Sequence, residues 1–345
     1  MQKQPFFSIG IPVYNTSPYL ERCMNSIYSQ SFTDFEIIFV DDGSSDNSLE
    51  VLKQYAAKDD RITVITRPND GPSSARNAMF YTAKGRYIYV LDSDDAMCDE
   101  VLAKAYEELS KNNFPDLLHT GFIRVVDGVE TLCPAVYPGD EYFNPEFSKD
   151  ERWIRMWLSK KTVDQVMTKF IKRELIVNNG ISFITRLFAQ EDSDFTFNLC
   201  RKADTMAYAD FYAFRYYKNR KKSISTDWSY KAVAGVLSRW SEFYYDIEFY
   251  DISEWSRQQL AKEKLDLLYQ LRTGTLRMAS QRPKEECFKL INMLDGYFGR
   301  DIKNLPVTEG GINGIIFRMY KIFGLKKTYK WLYAYLEKKG AVLKQ

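Results

Sequence analysis

Between Phe6 and Val126, short apolar runs rich in β-branched and aromatic residues alternate with longer stretches whose apolar positions recur every three to four residues. The runs Phe7 to Tyr14, Phe35 to Val40, Ile62 to Thr66, Tyr87 to Leu91 and Leu117 to Val126 predict strands. Pro18 to Gln30, Asp46 to Ala57, Pro72 to Ala83 and Asp99 to Asn112 predict helices, each opening near Ser, Asp or Pro, which favour helix starts. This alternation predicts an α/β fold with a doubly wound, mainly parallel sheet. After Val126 the pattern changes. A segment rich in Gly, Pro and acids, Asp127 to Asp150, leads into helical patterns over Glu151 to Ser159 and Asp164 to Ile176. Two strand-like runs follow, Thr205 to Ala209 and Phe211 to Tyr217, and then a basic run, Lys218 to Lys222. From Trp228 onward the periodicity is helical and predicts a bundle, interrupted at Gly310, Gly311 and Gly314.

In an open α/β sheet, ligands bind beyond the carboxyl ends of the strands, where loops and helix N-termini converge. The first strand should end at Pro12-Val13-Tyr14-Asn15, the second at Asp41-Asp42-Gly43-Ser44 and the fourth at Asp92-Ser93-Asp94-Asp95. Five carboxylates at one sheet edge repel one another unless a positive charge lies between them. Alternate residues of an extended segment point the same way, so Asp92 and Asp94 would face one point. Their hard oxygen donors suit Mg²⁺ or Mn²⁺. The plainer role for such acids is helix capping, which we expect of Asp46, leaving Asp41 and Asp42 for a ligand.

Composition narrows the class without naming it. The chain has 345 residues, enough for one large core with an appendage or for two modest domains. The 48 basic and 46 acidic residues nearly balance at +2, which argues against a nucleic-acid partner. The balance is uneven, because Ile312 to Gln345 holds eight Lys/Arg and one Glu, a local +7 that leaves −5 for residues 1–311. Aromatic residues share that segment, a mixture that suits peripheral contact with an anionic membrane, a bundle helix or a homodimer contact. The five scattered cysteines form no CxxC and fit a reducing, cytoplasmic setting, at the inner face of the cell membrane if the tail binds lipid. No stretch reaches 18 apolar residues.

Four segments in order, Ser8-Ile-Gly-Ile-Pro-Val-Tyr-Asn15, Val40-Asp-Asp-Gly-Ser-Ser-Asp46, Gly71-Pro-Ser-Ser-Ala-Arg-Asn77 and Leu91-Asp-Ser-Asp-Asp95, resemble the motif set of family 2 glycosyltransferases of the bacterial surface-polysaccharide type. The resemblance is close over residues 6–125 and looser through Glu191-Asp192 to Ser223-Ile-Ser225. It implies a GT-A fold, inverting chemistry, a nucleoside-diphosphate sugar donor, with UDP the expected carrier, and a saccharide or lipid-linked saccharide acceptor. It also implies a GT-A catalytic domain over 1–225, with a donor half to about 125 and an acceptor half beyond, followed by a helical region over 226–345. By that likeness Pro12, Val13 and Tyr14 would line the nucleoside pocket beside Asn15, and Asp41 would accept from the base. Asp42, Gly43, Ser44 and Ser93 would complete the donor loops, Asp92 would meet ribose or metal, and Asp94 would bind the metal.

Other residues carry their own chemistry. Arg76 would open a helix, where free amides and a guanidinium can hold phosphate or sugar hydroxyls. Transfer needs a base for the acceptor hydroxyl, and Asp192 is the candidate with Glu191 in reserve, although acids also simply favour a helix N-terminus. The basic run resembles the family's Tyr-Tyr-x-Arg region, with Lys218 in the usual arginine's place. A lysine binds phosphate only as a point charge, so Lys218 and Arg220 both stand as candidates for the leaving diphosphate. His119, inside an apolar strand, reads as a packed residue rather than a ligand. Two alternatives remain: a nucleotidyltransferase making the sugar nucleotide, which would want a Gly-rich loop absent between Phe6 and Pro18, and a non-catalytic nucleotide-sugar-binding module.

Overall fold

The structure, a computed structural model, describes residues 4–135, 139, 146–158, 164–185, 191–218, 239, 241–243 and 245–261, with isolated helical positions between 285 and 334. The chain divides into two compact units, Met1–Ser223 and Ile224–Gln345. The first unit is built on one sheet. Its strands are β1 (Phe7–Val13), β2 (Phe35–Asp41), β3 (Ile62–Thr66), β4 (Tyr87–Val90), β5 (Ala96–Met97), β6 (Leu117–Val126), β7 (Val129–Cys133), β8 (Lys169–Lys172) and β9 (Met206–Tyr217). Their order is β3-β2-β1-β4-β8-β6-β9-β5, with β7 hung on β6 as a hairpin. The block β3-β2-β1-β4 is parallel, so its carboxyl ends share one edge. β8 joins antiparallel to β4 and β6, β9 lies parallel to β6, and two-residue β5 pairs antiparallel with the end of β9.

Among the described residues of this unit, seven helices accompany the strands: α1 (Ser17–Tyr28), α2 (Ser48–Ala56), α3 (Pro72–Thr82), α4 (Val101–Lys111), α5 (Lys149–Leu158), α6 (Arg173–Asn179) and α7 (Glu191–Lys202). The helices α1 and α4 each turn one apolar stripe inward, Leu20, Cys23, Met24 and Ile27 in the first and Val101, Leu102, Ala105 and Leu109 in the second. β1, β2 and β4 are buried on both faces, which explains their unbroken apolar runs. Close packing of α3 on β1 depends on Gly10, where a Cβ would sit 1.6 Å from the Met79 sulfur.

The pattern failed at three places. The helix expected over Asp164 to Ile176 is instead a 3₁₀ turn (Val166–Thr168), β8 and α6. Phe170 and Ile171 are both buried because β8 is enclosed between β4 and β6, so the sequence shows no strand alternation there. β7 falls in what reads as a loop, since four of its five residues are exposed and only pairing with β6 makes it a strand. Thr205 to Ala209 and Phe211 to Tyr217 are one strand, β9, whose pairing with β6 shifts register near Gly121. In the second unit the described portion includes a helix over residues 254–261 and a 3₁₀ turn, Ile247–Phe249, with Phe243, Ile252 and Leu260 buried. Arg220 and nearly all of 312–345 lie outside the described residues. No helix among the described residues is long and apolar enough to cross a membrane.

Candidate active site

The carboxyl ends of β1, β2 and β4 are knitted together by short side chains. Asn15 adopts a left-handed conformation (φ 52°), which Asn tolerates better than most residues. Its Oδ1 accepts from the Ser45 and Asp46 amides at 2.8 and 3.2 Å, while its own amide donates to the Ser44 hydroxyl at 3.0 Å. Thr16 donates to the Ser93 hydroxyl at 2.9 Å, tying the β1 end to the acid-bearing loop. Val13 is buried, Pro12 half-buried, and Tyr14 leaves 47% of its surface open, so this wall presents an accessible aromatic ring. Asp46 takes the Ser17 amide at 3.1 Å and the Ser48 amide at 2.9 Å, but the N-cap of α2 is Asn47, so Asp46 braces the turn before the helix instead of capping it as the sequence suggested. Partial burial opposes its charge, but the Ser48 and Ser17 bonds prevail and hold its carboxyl below the usual range.

Asp41 and Asp42 part company. Both are buried, and Asp41 accepts from the Ser44 amide at 3.3 Å. Asp42 takes the Asp70 amide at 3.2 Å and the Gly71 amide at 2.8 Å, with Arg67 Nε 3.3 Å away. Its carboxylate is therefore committed to the loop that opens α3, where the sequence left it for a ligand. Burial nevertheless raises its pKa. Directly after them Gly43 takes φ 73°, and a Cβ there would lie 2.9 Å from the Asn69 backbone nitrogen, so this turn admits only glycine.

The acids after β4 gather at one point. Ligand oxygens of Asp92, Asp94 and Asp95 lie within 4.8 Å of one another, the one such cluster among the described residues. Asp95 joins the pair singled out by spacing. It is 1% exposed, its Oδ1 accepts from the Tyr217 amide at 3.0 Å, and its Oδ2 is buried without a hydrogen-bond partner. Burial first, then the charges of Asp92 and Asp94, push its carboxyl well above the ordinary range. A buried orphan oxygen among hard oxygen donors fits a divalent cation.

Arg76 provides the link that the sequence did not reveal. Its helix N-terminal setting suggested contact with phosphate or sugar, yet its guanidinium is 4% exposed and faces three carboxylates. Asp92 stands at 3.0 Å, Asp192 at 3.2 Å and Glu191 at 3.3 Å. Burial opposes the charge, but Asp192, Asp92 and Glu191 overcome it and raise its pKa. The donor-edge acids and the first turn of α7 are thus joined through one cation. α7 is held from below by Asp164, which accepts from Ser193 at 3.0 Å and, through its carbonyl, from Thr196 at 2.8 Å. Asn77, one residue after Arg76, bonds both main-chain groups of Phe183, whose ring stacks on Phe195 of α7 at 4.0 Å. Burial, with the Glu191 and Asp92 charges and against the Arg76 cation, raises Asp192 to about 7.

Lys218 is exposed just beyond β9, its amide bonded to the Val125 carbonyl at 3.0 Å. His119 stacks on Tyr208 at 4.6 Å inside the sheet, its pKa pushed well down by burial and then by the Lys169 cation, as a packed residue would be.

A parallel block with motif loops at its carboxyl edge, continued by a mixed half-sheet, is the GT-A fold of nucleotide-diphospho-sugar transferases. The TarS 1–349 structure from S. aureus, in complex with UDP-GlcNAc, superposes with a TM-score of 0.65 over 97% of this chain and 92% of that one, at 22% identity. Residues 8–130 match the Glycosyl transferase family 2 model, and this segment is a family 2 glycosyltransferase domain. Curated relatives include the uncharacterized glycosyltransferase EpsJ of Bacillus subtilis, 31% identical over 216 residues covering 62% of each chain. Another is a poly(ribitol-phosphate) beta-glucosyltransferase of Bacillus spizizenii, 33% identical over 217 residues. That match covers 62% of this chain and only 32% of the relative, so the chain spans less than two thirds of either protein's length.

Proposed function

We propose that the chain is an inverting glycosyltransferase that moves a sugar from a nucleoside diphosphate, UDP by preference, to a hydroxyl of a saccharide or lipid-linked saccharide in bacterial surface-polysaccharide synthesis. The observation carrying it is the pairing of a three-carboxylate cluster, Asp92, Asp94 and Asp95, with Asp192 across the Arg76 bridge. The family match over 8–130 and UDP-GlcNAc in the TarS structure support the reading. In it Tyr14, Val13 and Pro12 receive the nucleoside with Asn15, Gly43 and Ser44 shaping the loop, and Asp41 accepts from the base. Asp92 and Asp94, with Asp95 behind them, would hold Mn²⁺ or Mg²⁺. When bound, such an ion neutralises charge developing on the leaving diphosphate. Asp192 takes the proton as the acceptor oxygen attacks the anomeric carbon and the carbon–oxygen bond to the diphosphate breaks on the opposite face. Arg76 fixes the distance between base and donor edge, and either Lys218 or Arg220 would meet the departing phosphates. A cytoplasmic enzyme at the inner membrane face, held through 312–345 or joined there to a second copy, would meet a lipid-linked acceptor.

The test is calorimetry of UDP with Mn²⁺ or with EDTA. Binding should be at least tenfold tighter with metal, and Asp94→Asn should remove the difference. Equal affinity in EDTA and Mn²⁺ for the unmodified chain would overturn the metal-bridged donor site.

A further inference from the structure

α1 turns a polar stripe toward the segment that follows the acid cluster. Arg22, Ser26 and Gln30 recur four residues apart, so they share one face of the helix and its extension. Each takes main-chain groups of the neighbouring segment. Arg22 Nη2 donates to the Asp94 carbonyl, Ser26 Oγ accepts from the Met97 amide at 3.0 Å, and Gln30 bonds the Cys98 carbonyl at 2.9 Å and the Leu102 amide at 3.1 Å. Ser26 and Gln30 stitch β5 and the start of α4, which is ordinary packing chemistry. Arg22 differs, because its carbonyl partner belongs to one of the clustered acids.

A second element converges there. The Arg22 guanidinium carbon lies 3.7 Å from the centre of the Tyr217 ring, and the Tyr19 ring lies on the same cation at 5.6 Å. The Tyr217 amide meanwhile donates to Asp95 at 3.0 Å. One residue at the end of β9 therefore acts twice, its ring fixing Arg22 and its amide fixing Asp95. The peptide of Asp94 is gripped on its carbonyl side by Arg22, while the side chain of the next residue is gripped by β9. Whether Asp92 and Asp94 direct oxygens to one point depends on the plane of that peptide, because a rotation there turns the Asp94 side chain away. The Arg22 charge also lies close enough to lower the Asp95 pKa, so it offsets the mutual repulsion of the three acids.

We propose that Arg22 is a positioning residue for cation-dependent donor binding, holding the Asp94 peptide against the end of β9 through its stack on Tyr217. The inference rests on the metal-bridged reading above. It makes correct seating of Tyr217, and hence of Lys218 beside it, a condition for a competent cation site. A planar guanidinium is required, since a lysine can meet the carbonyl but cannot stack face to face on the ring while doing so.

The experiment measures UDP affinity by calorimetry in Mn²⁺ and in EDTA for the full chain and its variants. Arg22→Gln should cut the metal-dependent gain in affinity about tenfold, with the EDTA affinity within twofold of the unmodified chain. Arg22→Lys should recover only part of the gain. Tyr217→Ala should match Arg22→Gln and Tyr217→Phe should retain the gain, because the ring and not the hydroxyl carries the stack. The double variant Arg22→Gln, Tyr217→Ala should be no worse than either single one, as two parts of one device are not additive. An unchanged metal-dependent gain in Arg22→Gln, or additive losses in the double variant, overturns the proposal while leaving the donor site intact. Absence of any metal effect in the unmodified chain overturns the underlying reading instead. If Arg22→Gln does not fold, the contrast between Tyr217→Ala and Tyr217→Phe decides, and equal behaviour of those two overturns the stack.

Discussion

Replacing Asp192 with Asn should lower kcat by about a hundred- to ten-thousand-fold, the usual worth of a positioned base, while UDP affinity in Mn²⁺ changes little. The asymmetry follows from where the residue acts. Asp192 stands across Arg76 from Asp92, and as the base its absence is felt when a proton must leave the acceptor. Because burial lifts its carboxyl to about 7, kcat/KM of the native enzyme should rise with pH through that region as the carboxylate forms. The Asn variant should lose that limb. Stability should run the opposite way. An acid whose pKa is higher in the folded than in the unfolded state binds more protons when folded between the two values, so its contribution weakens as pH rises from about 4 to about 7. Thermal melts across that window should therefore fall less steeply for Asp192→Asn. A variant with near-native turnover on a competent acceptor would move the base to Glu191.

Replacing Arg76 with Met should be the most destabilising single change in the site. It keeps most of the side chain's volume and removes the cation that pairs with Asp92, Glu191 and Asp192 together. Removing one partner of a buried ionic cluster typically costs roughly 3–5 kcal/mol, because the charges left behind are neither solvated nor paired. For a unit of this size that corresponds to a drop in Tm on the order of 10 °C, read by scanning calorimetry. The loss should shrink at low pH, where the abandoned carboxylates take up protons. The triple change Arg76→Met, Glu191→Gln, Asp192→Asn should recover much of the stability and none of the activity. Should the single variant melt within about 2 °C of the native protein, Arg76 is not the bridge that its geometry indicates.

The parallel block was legible because each of its strands is buried on both faces or closes a helix-wrapped unit, so local periodicity and tertiary role agree. Strand ends deliver Asn15, Asp41 and Asp92 to one edge by connectivity alone, and the spacing of Asp92 and Asp94 carries a direction. Asp95 was visible as one of the edge carboxylates but not as a ligand beside Asp92 and Asp94. Its neighbour in sequence does not say that Tyr217, over a hundred residues away, will take one of its oxygens and leave the other facing inward.

What the chain determined by itself were features set by near neighbours: the alternation of the first half and the motif loops at its strand ends. What only the tertiary structure decided were the partners brought together across the sheet. β8 is a strand because β4 and β6 enclose it, Asp42 is a loop pin because the segment from Arg67 to Gly71 folds over it, and Arg76 faces acids because Asn77 and Phe183 seat α7 against α3. Arg22 reaches Asp94 because α1 and β5 are neighbours in space, not in sequence. The reason is the range of the forces concerned: backbone preference and burial period act over a few residues and leave a trace in the sequence, whereas ion pairs and ring stacks form only between surfaces that the completed fold brings within a few ångströms.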